Sequence, residues 1–113
     1  MLPREQRLTR KGQFATVYSQ GKSWANDLLV MKAIPNQLGL TRYGFSVSKR
    51  VGKAVVRNRV KRLLREGARL TPIEPGWDIV FIARQAAATG NYHQIKKAME
   101  ELFRRARLLK AKE

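Results

Sequence analysis

Cysteine is absent from the chain, so neither a disulfide framework nor a thiolate metal site can be built, and a reducing compartment, by default the cytoplasm, is expected. Histidine occurs once, at His93. Acid–base cleavage of a phosphodiester needs a proton acceptor and a proton donor near the phosphate, and one histidine on a helical stretch reads as an exposed structural residue. Acidic residues are scarce as well. Glu100 and Glu101 are adjacent, but ~100° apart on a helix they do not converge on a metal. No catalytic residue and no protein-bound metal are therefore expected. Apolar runs fall well short of the ~18 residues that a membrane-spanning helix needs. The opening Met1-Leu-Pro-Arg-Glu-Gln-Arg lacks the apolar stretch of a secretory signal. No repeat and no low-complexity segment is found.

Positive charge is present in excess. Twenty-four Lys and Arg face eight Asp and Glu, a formal charge of +16, which draws polyanions. The chain is nonetheless no basic tail: 43% of it is hydrophobic and periodically placed, enough for one modest core in 113 residues. A single domain spanning 1–113 is expected, with residues 1–8 as a flexible arm.

The periodicity predicts a helix from about Thr9 to Gln20, with Thr9 as N-cap and Gly21 at its stop. Phe14, Val17 and Tyr18 form its apolar side. Leu28 to Ile34 reads as a buried strand closed by Pro35, and 36–39 as a turn. Arg42 to Ser48 alternates, with Tyr43, Phe45 and Val47 on one face. These two strands are expected to pair as an antiparallel hairpin, with a short extra strand near Trp24 to Asn26. A second helix is predicted over Ala54 to Leu70, apolar along Val56, Val60, Leu63, Leu64 and Gly67, and ended by Pro72 through Thr71. Trp77 to Ala83 is almost wholly apolar, the mark of a central strand. A third helix from about Tyr92 to Leu109 presents Tyr92, Ile95, Met99, Leu102, Phe103 and Ala106 on its inner face. The order implies an α+β fold: a single-domain α/β sandwich with a small, mostly antiparallel sheet and three helices.

The charge is concentrated. Lys49, Arg50, Lys53, Arg57, Arg59, Lys61, Arg62, Arg65 and Arg69 fall within 21 residues, opposed only by Glu66. Arg57, Lys61 and Arg65 share one helical stripe; Asn58, Arg62 and Arg69 share the next. An ordinary charge run is a solvated face, but such a face mixes in glutamate. Like charges four apart destabilise an isolated helix by ~0.2–0.5 kcal/mol per pair. Phosphates would relieve that repulsion, and arginine suits bidentate phosphate contact and stacking on bases. RNA binding is the expected function.

The segment Val51-Gly-Lys-Ala-Val-Val-Arg-Asn-Arg-Val-Lys-Arg-Leu-Leu-Arg65 resembles the arginine-rich signature of the bacterial ribonuclease P protein subunit, with Arg57, Asn58 and Arg59 as its Arg-Asn-Arg core. Leu2 to Leu8 with Phe14, Gly44 to Arg50, Asp78 to Arg84 and Leu102 to Arg105 resemble further parts of that family, so the likeness covers about 2–109. The resemblance implies a left-handed βαβ crossover, which the general preference for right-handed crossovers argues against. It also implies removal of the 5′ leader from precursor tRNA by a catalytic RNA that holds most of the Mg²⁺. The protein, a monomer in a 1:1 ribonucleoprotein, would bind ribonuclease P RNA and the single-stranded leader.

Carried over by position, Lys49, Arg50, Lys53, Arg57, Asn58, Arg59 and Arg62 would contact the catalytic RNA. Phe14, Tyr18, Lys61 and Arg65 would face the leader. Taken alone, Phe14 and Tyr18 read as core packing at i and i+4; the resemblance favours a stacking platform. The family often has another aromatic on the strand facing that cleft, where this chain has Met31 and Lys32, and its loop at 36–39 lacks a carboxylate. The main alternative is a structural ribosomal protein of similar size and charge. A DNA-binding regulator has less support, because no helix-turn-helix partner precedes the second helix.

Overall fold

The computed structural model describes residues 2–110. Helix α1 (Lys11–Gln20) is followed by strands β1 (Lys22–Ala25), β2 (Leu29–Pro35) and β3 (Arg42–Ser46), helix α2 (Ala54–Leu70), strand β4 (Trp77–Ala83) and helix α3 (Tyr92–Arg105). Short 3-10 turns precede α1 (Arg4–Gln6), α2 (Lys49–Val51) and α3 (Gln85–Thr89). The four strands form one sheet in the order β1-β2-β4-β3, antiparallel except for the parallel pair β3 and β4.

The expected hairpin of β2 with β3 does not form. Strand β4 lies between them, with Met31 opposite Phe81 and Phe81 opposite Phe45. The physical reason is visible in β4 itself: five of its seven residues are buried, so it needs cover on both faces and pairing along both edges. The connection from β2 to β3 is tied instead to the entry of β4. Asn36 N–H donates to Gly76 at 2.8 Å, and the Thr41 hydroxyl donates to Glu74 at 3.0 Å.

Nor is the N-terminal segment a free arm. Leu2 and Leu8 are buried, Leu8 N–H donates to the Tyr43 carbonyl at 2.7 Å, and Arg7 bridges Tyr43 in parallel. The segment therefore covers the outer edge of β3, which would otherwise present unpaired backbone. Met1 lies outside the described residues.

Helix ends follow local chemistry with two shifts from expectation. Helix α1 starts after Arg10 rather than Thr9, because the Gln13 side-chain oxygen accepts from both the Thr9 and Arg10 amides. Helix α3 stops at Arg105. Arg107 takes φ 61°, Leu108 N–H returns to the Phe103 carbonyl at 2.9 Å, and Leu109 then bridges Ile73. Its start is fixed by Asn91 and Gln94, which exchange side-chain-to-amide hydrogen bonds.

The two faces of the sheet are covered differently. One packs Leu29, Met31, Ala33, Tyr43, Ile79 and Phe81 against Val60 and Leu64 of α2 and Ile95, Met99, Leu102 and Phe103 of α3. Phe81 meets Phe103 edge-on at 5.4 Å. Gly67 lets the two helices close up, since a Cβ there would lie 2.6 Å from the Met99 sulfur. The other face carries α1, whose Val17 forms a small cluster with Val80 and with Leu8 of the N-terminal segment.

Candidate nucleic-acid interface

Register places three rows of side chains on the α1 face. Arg42, Asp78 and Ile34 form the first; Gly44, Val80, Lys32 and Ser23 the second; Ser46, Ile82, Val30 and Ala25 the third. Helix α1 sits across the first two. Arg10, Gln13 and Thr16 border a space shared with Arg42 and Asp78. Val17 packs on Val80, and the Phe14 ring lies so close to Gly44 that a Cβ there would meet it at 2.4 Å. The third row is left half-open: Ser46, Ile82 and Val30 are partly buried and Ala25 is exposed.

At 100° per residue, Gln13 and Thr16 fall on one flank of α1 and Phe14 and Tyr18 on the other. The aromatic flank therefore borders the open third row, making a groove with a small-residue and aliphatic floor and an aromatic wall. The two rings stand 6.4 Å apart, tilted by 46°; Phe14 is half-buried and Tyr18 is 39% exposed. Lys32 completes the wall, its ammonium 5.9 Å from the Tyr18 ring centre. The strand alternation of Val30, Lys32 and Ile34 against Leu29, Met31 and Ala33 was the available sign that Lys32, not Met31, faces α1.

Within the first row the sheet is locked by an ion pair. Asp78, buried, accepts from Arg42 Nε at 2.8 Å and from its terminal nitrogen at 2.7 Å, and takes a third bond from Asn36 Nδ2 at 2.9 Å. The bond to Asp78 raises the Arg42 pKa. Arg42 is thus neutralised within the fold.

The basic segment begins where the third row ends. Lys49 and Arg50, both exposed, form the 3-10 turn after β3, anchored by buried Val51. Gly52 follows at φ 156°, a value near the extended limit of the glycine-favouring range, and Lys53 caps α2. Along α2, Asn58, Arg62 and Arg65 are exposed, while Arg57 and Lys61 are half-buried. Among the described residues, the Arg57 Nε is buried without an acceptor. Arg69 pairs with Glu66 at 2.6 Å on the exposed side, which lowers the Glu66 pKa.

Arg59, expected among the RNA contacts, is also engaged within the fold. Its guanidinium donates to the Gly90 carbonyl at 3.0 Å and to the Ala88 carbonyl, so it ties α2 to the turn preceding α3. Its place outside both basic rows of α2 is the one sign in the sequence that sets it apart from Arg57 and Arg62. The turn it holds is also joined to the basic segment, since Gln85 Nε2 donates to the Arg50 carbonyl at 3.4 Å.

Helices α1 and α2 pack on opposite faces of the sheet. Among the described residues, no hydrogen bond, ion pair or ring contact joins Lys61 or Arg65 to Phe14 or Tyr18; the cation beside the aromatics is Lys32. Also among the described residues, no group of three or more His, Asp or Glu side chains is placed to hold a metal, and no helix is long and apolar enough to cross a membrane. His93 is exposed on α3.

Comparison with known proteins agrees with this arrangement. The family model described as Ribonuclease P matches residues 2–107. The ribonuclease P protein component of Dehalococcoides mccartyi strain 195 is 48% identical over 103 residues, covering 91% of this chain and 86% of its own. That of Caldanaerobacter subterraneus subsp. tengcongensis is 45% identical over 109 residues, with 95% and 94% covered. Among solved structures, the RNase P protein of Staphylococcus aureus superposes with a TM-score of 0.84 at 33% identity, covering 93% of this chain and 98% of that one. The RNase P protein of Thermotoga maritima gives 0.78 at 29%, covering 88% and 96%. With its arginine-rich helix, its half-open sheet face and its near full-length match, the chain belongs to the ribonuclease P family of proteins.

Proposed function

We infer that this chain is the protein subunit of ribonuclease P: it binds the catalytic RNA through the basic segment from Lys49 to Arg65 and the 5′ leader of precursor tRNA in the groove beside α1. The observation that carries this reading is the half-open third row. A sheet face with an aromatic wall, a cation and an incompletely covered apolar floor suits a single strand held by stacking and charge. The open row runs into the exposed Lys49 and Arg50, so a strand in the groove leads onto the basic surface.

Each residue group has a physical task. Lys49, Arg50, Lys53, Arg57 and Arg62 neutralise phosphates of the catalytic RNA, and Asn58 adds a hydrogen-bonding edge beside them. Arg59 positions the turn before α3 against that surface. Phe14 and Tyr18 stack leader bases, which any base sequence permits because every base has a π-face. Lys61 and Arg65, farther along α2, extend the basic surface toward substrate. Hydrolysis of the phosphodiester belongs to the RNA subunit with its Mg²⁺. The working unit is one protein with one RNA, in the cytoplasm.

The test is reconstitution. The chain added to a bacterial ribonuclease P RNA at low Mg²⁺ should restore cleavage of precursor tRNA at the mature 5′ end, whereas the RNA-free protein should leave the substrate intact. Co-sedimentation with ribosomal subunits at moderate salt, without any effect on cleavage, would favour a ribosomal role instead.

A further inference from the structure

We propose that the cavity at the C-terminal end of α2 takes one unstacked nucleotide of the catalytic RNA, with the base held inside and its phosphate at Arg69. The inference rests on the reading of α2 as the RNA-binding helix and adds to it a pocket separate from the groove beside α1.

The cavity, of about 310 Å³, lies where the N-terminal 3-10 turn, the connection from β2 to β3 and the chain after α2 meet. That is the lower end of the size range of small-ligand sites. Tyr43, which lines it, packs in the main core, so the sheet separates the cavity from Phe14 and Tyr18. Hydrogen bonds preset the walls. The Thr41 hydroxyl donates to the Glu74 carbonyl at 3.0 Å, the Thr71 hydroxyl to the Gly67 carbonyl at 2.7 Å, and the Glu74 N–H to the Leu108 carbonyl at 2.8 Å. One polar group of the lining is left over. Tyr43 is 4% exposed, and among the described residues its hydroxyl has no hydrogen-bond partner. Burial pushes its pKa up, so the phenol stays a neutral donor. A hydroxyl withdrawn from water without a partner costs stability, and the polar edge of a base in the cavity would satisfy it.

The other lining residues suit a nucleotide. Pro72 and Ile73 offer apolar surface to the faces of a base, and the Gln6 amide supplies both a donor and an acceptor for its edge. Arg69 gives its Nε and one terminal nitrogen to Glu66, and among the described residues its other terminal nitrogen is uncommitted. That ion pair is exposed, so a phosphate competes with it at little cost. Lys110 adds a second cation to the lining. The source of the nucleotide follows from the helix. Arg69 closes the basic row of Asn58 and Arg62, about 10 Å beyond Arg62 along the axis. RNA held along that row therefore arrives at the cavity, and bases splayed out of the stack are the ones that proteins read in RNA.

The experiment measures affinity for a bacterial ribonuclease P RNA across a salt series. Tyr43→Phe removes the hydroxyl alone and keeps the ring in the core, so Tm should hold. Affinity should fall about two- to tenfold with an unchanged salt slope, as for one uncharged hydrogen bond. Arg69→Gln should weaken binding by a similar factor and flatten the slope by about 0.7 for one contact to unpaired RNA. Chemical probing of the RNA then locates the nucleotide. One base should be shielded at its Watson–Crick edge by the wild-type protein and accessible again with Tyr43→Phe. An abasic RNA at that position should bind the wild-type protein more weakly and the variant as before.

Unchanged affinity in both variants, or the same shielding pattern with wild-type and Tyr43→Phe proteins, would overturn the proposal. So would a Tyr43→Phe protein of lowered Tm, which would return the hydroxyl to the fold. Titration of the RNA-free protein with adenosine, guanosine, cytidine and uridine monophosphates checks the other source. Saturable binding that Tyr43→Phe abolishes, with no base of the RNA shielded, would give the cavity to a free nucleotide and overturn its assignment to the catalytic RNA. Arg62→Ala serves as the separate arm. If it lowers RNA affinity while Tyr43→Phe and Arg69→Gln do not, this proposal alone fails. If none of the three does, the reading of α2 as the RNA-binding helix fails with it.

Discussion

The two faces of the sheet use similar residues to opposite ends. Against α2 and α3, the alternate positions of β2, β3 and β4 are almost all buried, and rings meet rings from Tyr43 through Phe45 and Phe81 to Phe103. Against α1, three buried residues form the whole cluster, and Phe14, Ile34 and Ile82 remain partly open. The same strands thus supply a closed face that holds the fold and a half-covered face that can take a ligand. Burial of apolar area stabilises at roughly 25 cal/mol per Å², so the first face contributes most of the stability. The second keeps an aromatic wall at the surface and supplies the smaller share of that stability.

The sharpest way to break that contrast is to truncate a ring on each side. Phe81→Ala removes a fully buried ring and should cost about 3–5 kcal/mol, enough to leave a small domain largely unfolded at 37 °C. Phe14→Ala removes a half-buried one and should cost roughly 1–2 kcal/mol by the area it withdraws. Urea unfolding curves compare them directly, and equal losses would make the α1 face as much a core as the other.

A second comparison reads the ligand instead of the fold. Phe14→Ala combined with Tyr18→Ala should weaken precursor tRNA binding by the holoenzyme by ~1–3 kcal/mol per stacked base, with mature tRNA little affected. The loss should shrink as the leader is trimmed to one or two nucleotides. If both ligands weaken together, the two aromatics belong to the fold rather than to the groove.

The smallest expected effect separates two arginines three residues apart on α2. Arg59→Ala leaves the carbonyls of Ala88 and Gly90 without their donor and should cost about 1–2 kcal/mol, lowering Tm by roughly 5 °C. The salt dependence of RNA binding should barely move. Arg62→Ala, on an exposed position, should leave Tm in place and flatten the salt slope by about 0.9 for one duplex phosphate contact or about 0.7 for a single strand. Charge alone makes the two equivalent and predicts that removing either relieves repulsion. A thermal melt beside a salt titration tells them apart, and an Arg59 variant with unchanged Tm and a reduced slope would return that residue to the RNA surface.

Much of the architecture was legible along the chain because its signals are local. The boundaries of α2 follow from its apolar spacing and from Pro72 acting through Thr71, and both agree with the structure. The alternation of β3 placed Tyr43, Phe45 and Val47 on the core side. The unopposed run of arginine and lysine pointed to RNA before any fold was known, since charge is a property of composition.

Tertiary structure decided what depends on partners distant in sequence. Whether β2 pairs with β3 or with β4 turns on which strand most needs burial, and that competition is settled only when all strands meet. Leu2 and Leu8 look like part of a charged arm until the edge of β3 gives them a place to pack. Arg59 is one cation among nine between Lys49 and Arg69 until two carbonyls about thirty residues away claim it. Lys32 is a lysine in an apolar strand until the pleat turns it toward Tyr18. The sequence by itself determined the helices, the strands, the core-facing positions and the sign of the surface, all set by neighbours within a few residues. The open row of the sheet, and the division of its cations between fold and ligand, required the third dimension, because each is defined by what long-range packing leaves uncovered.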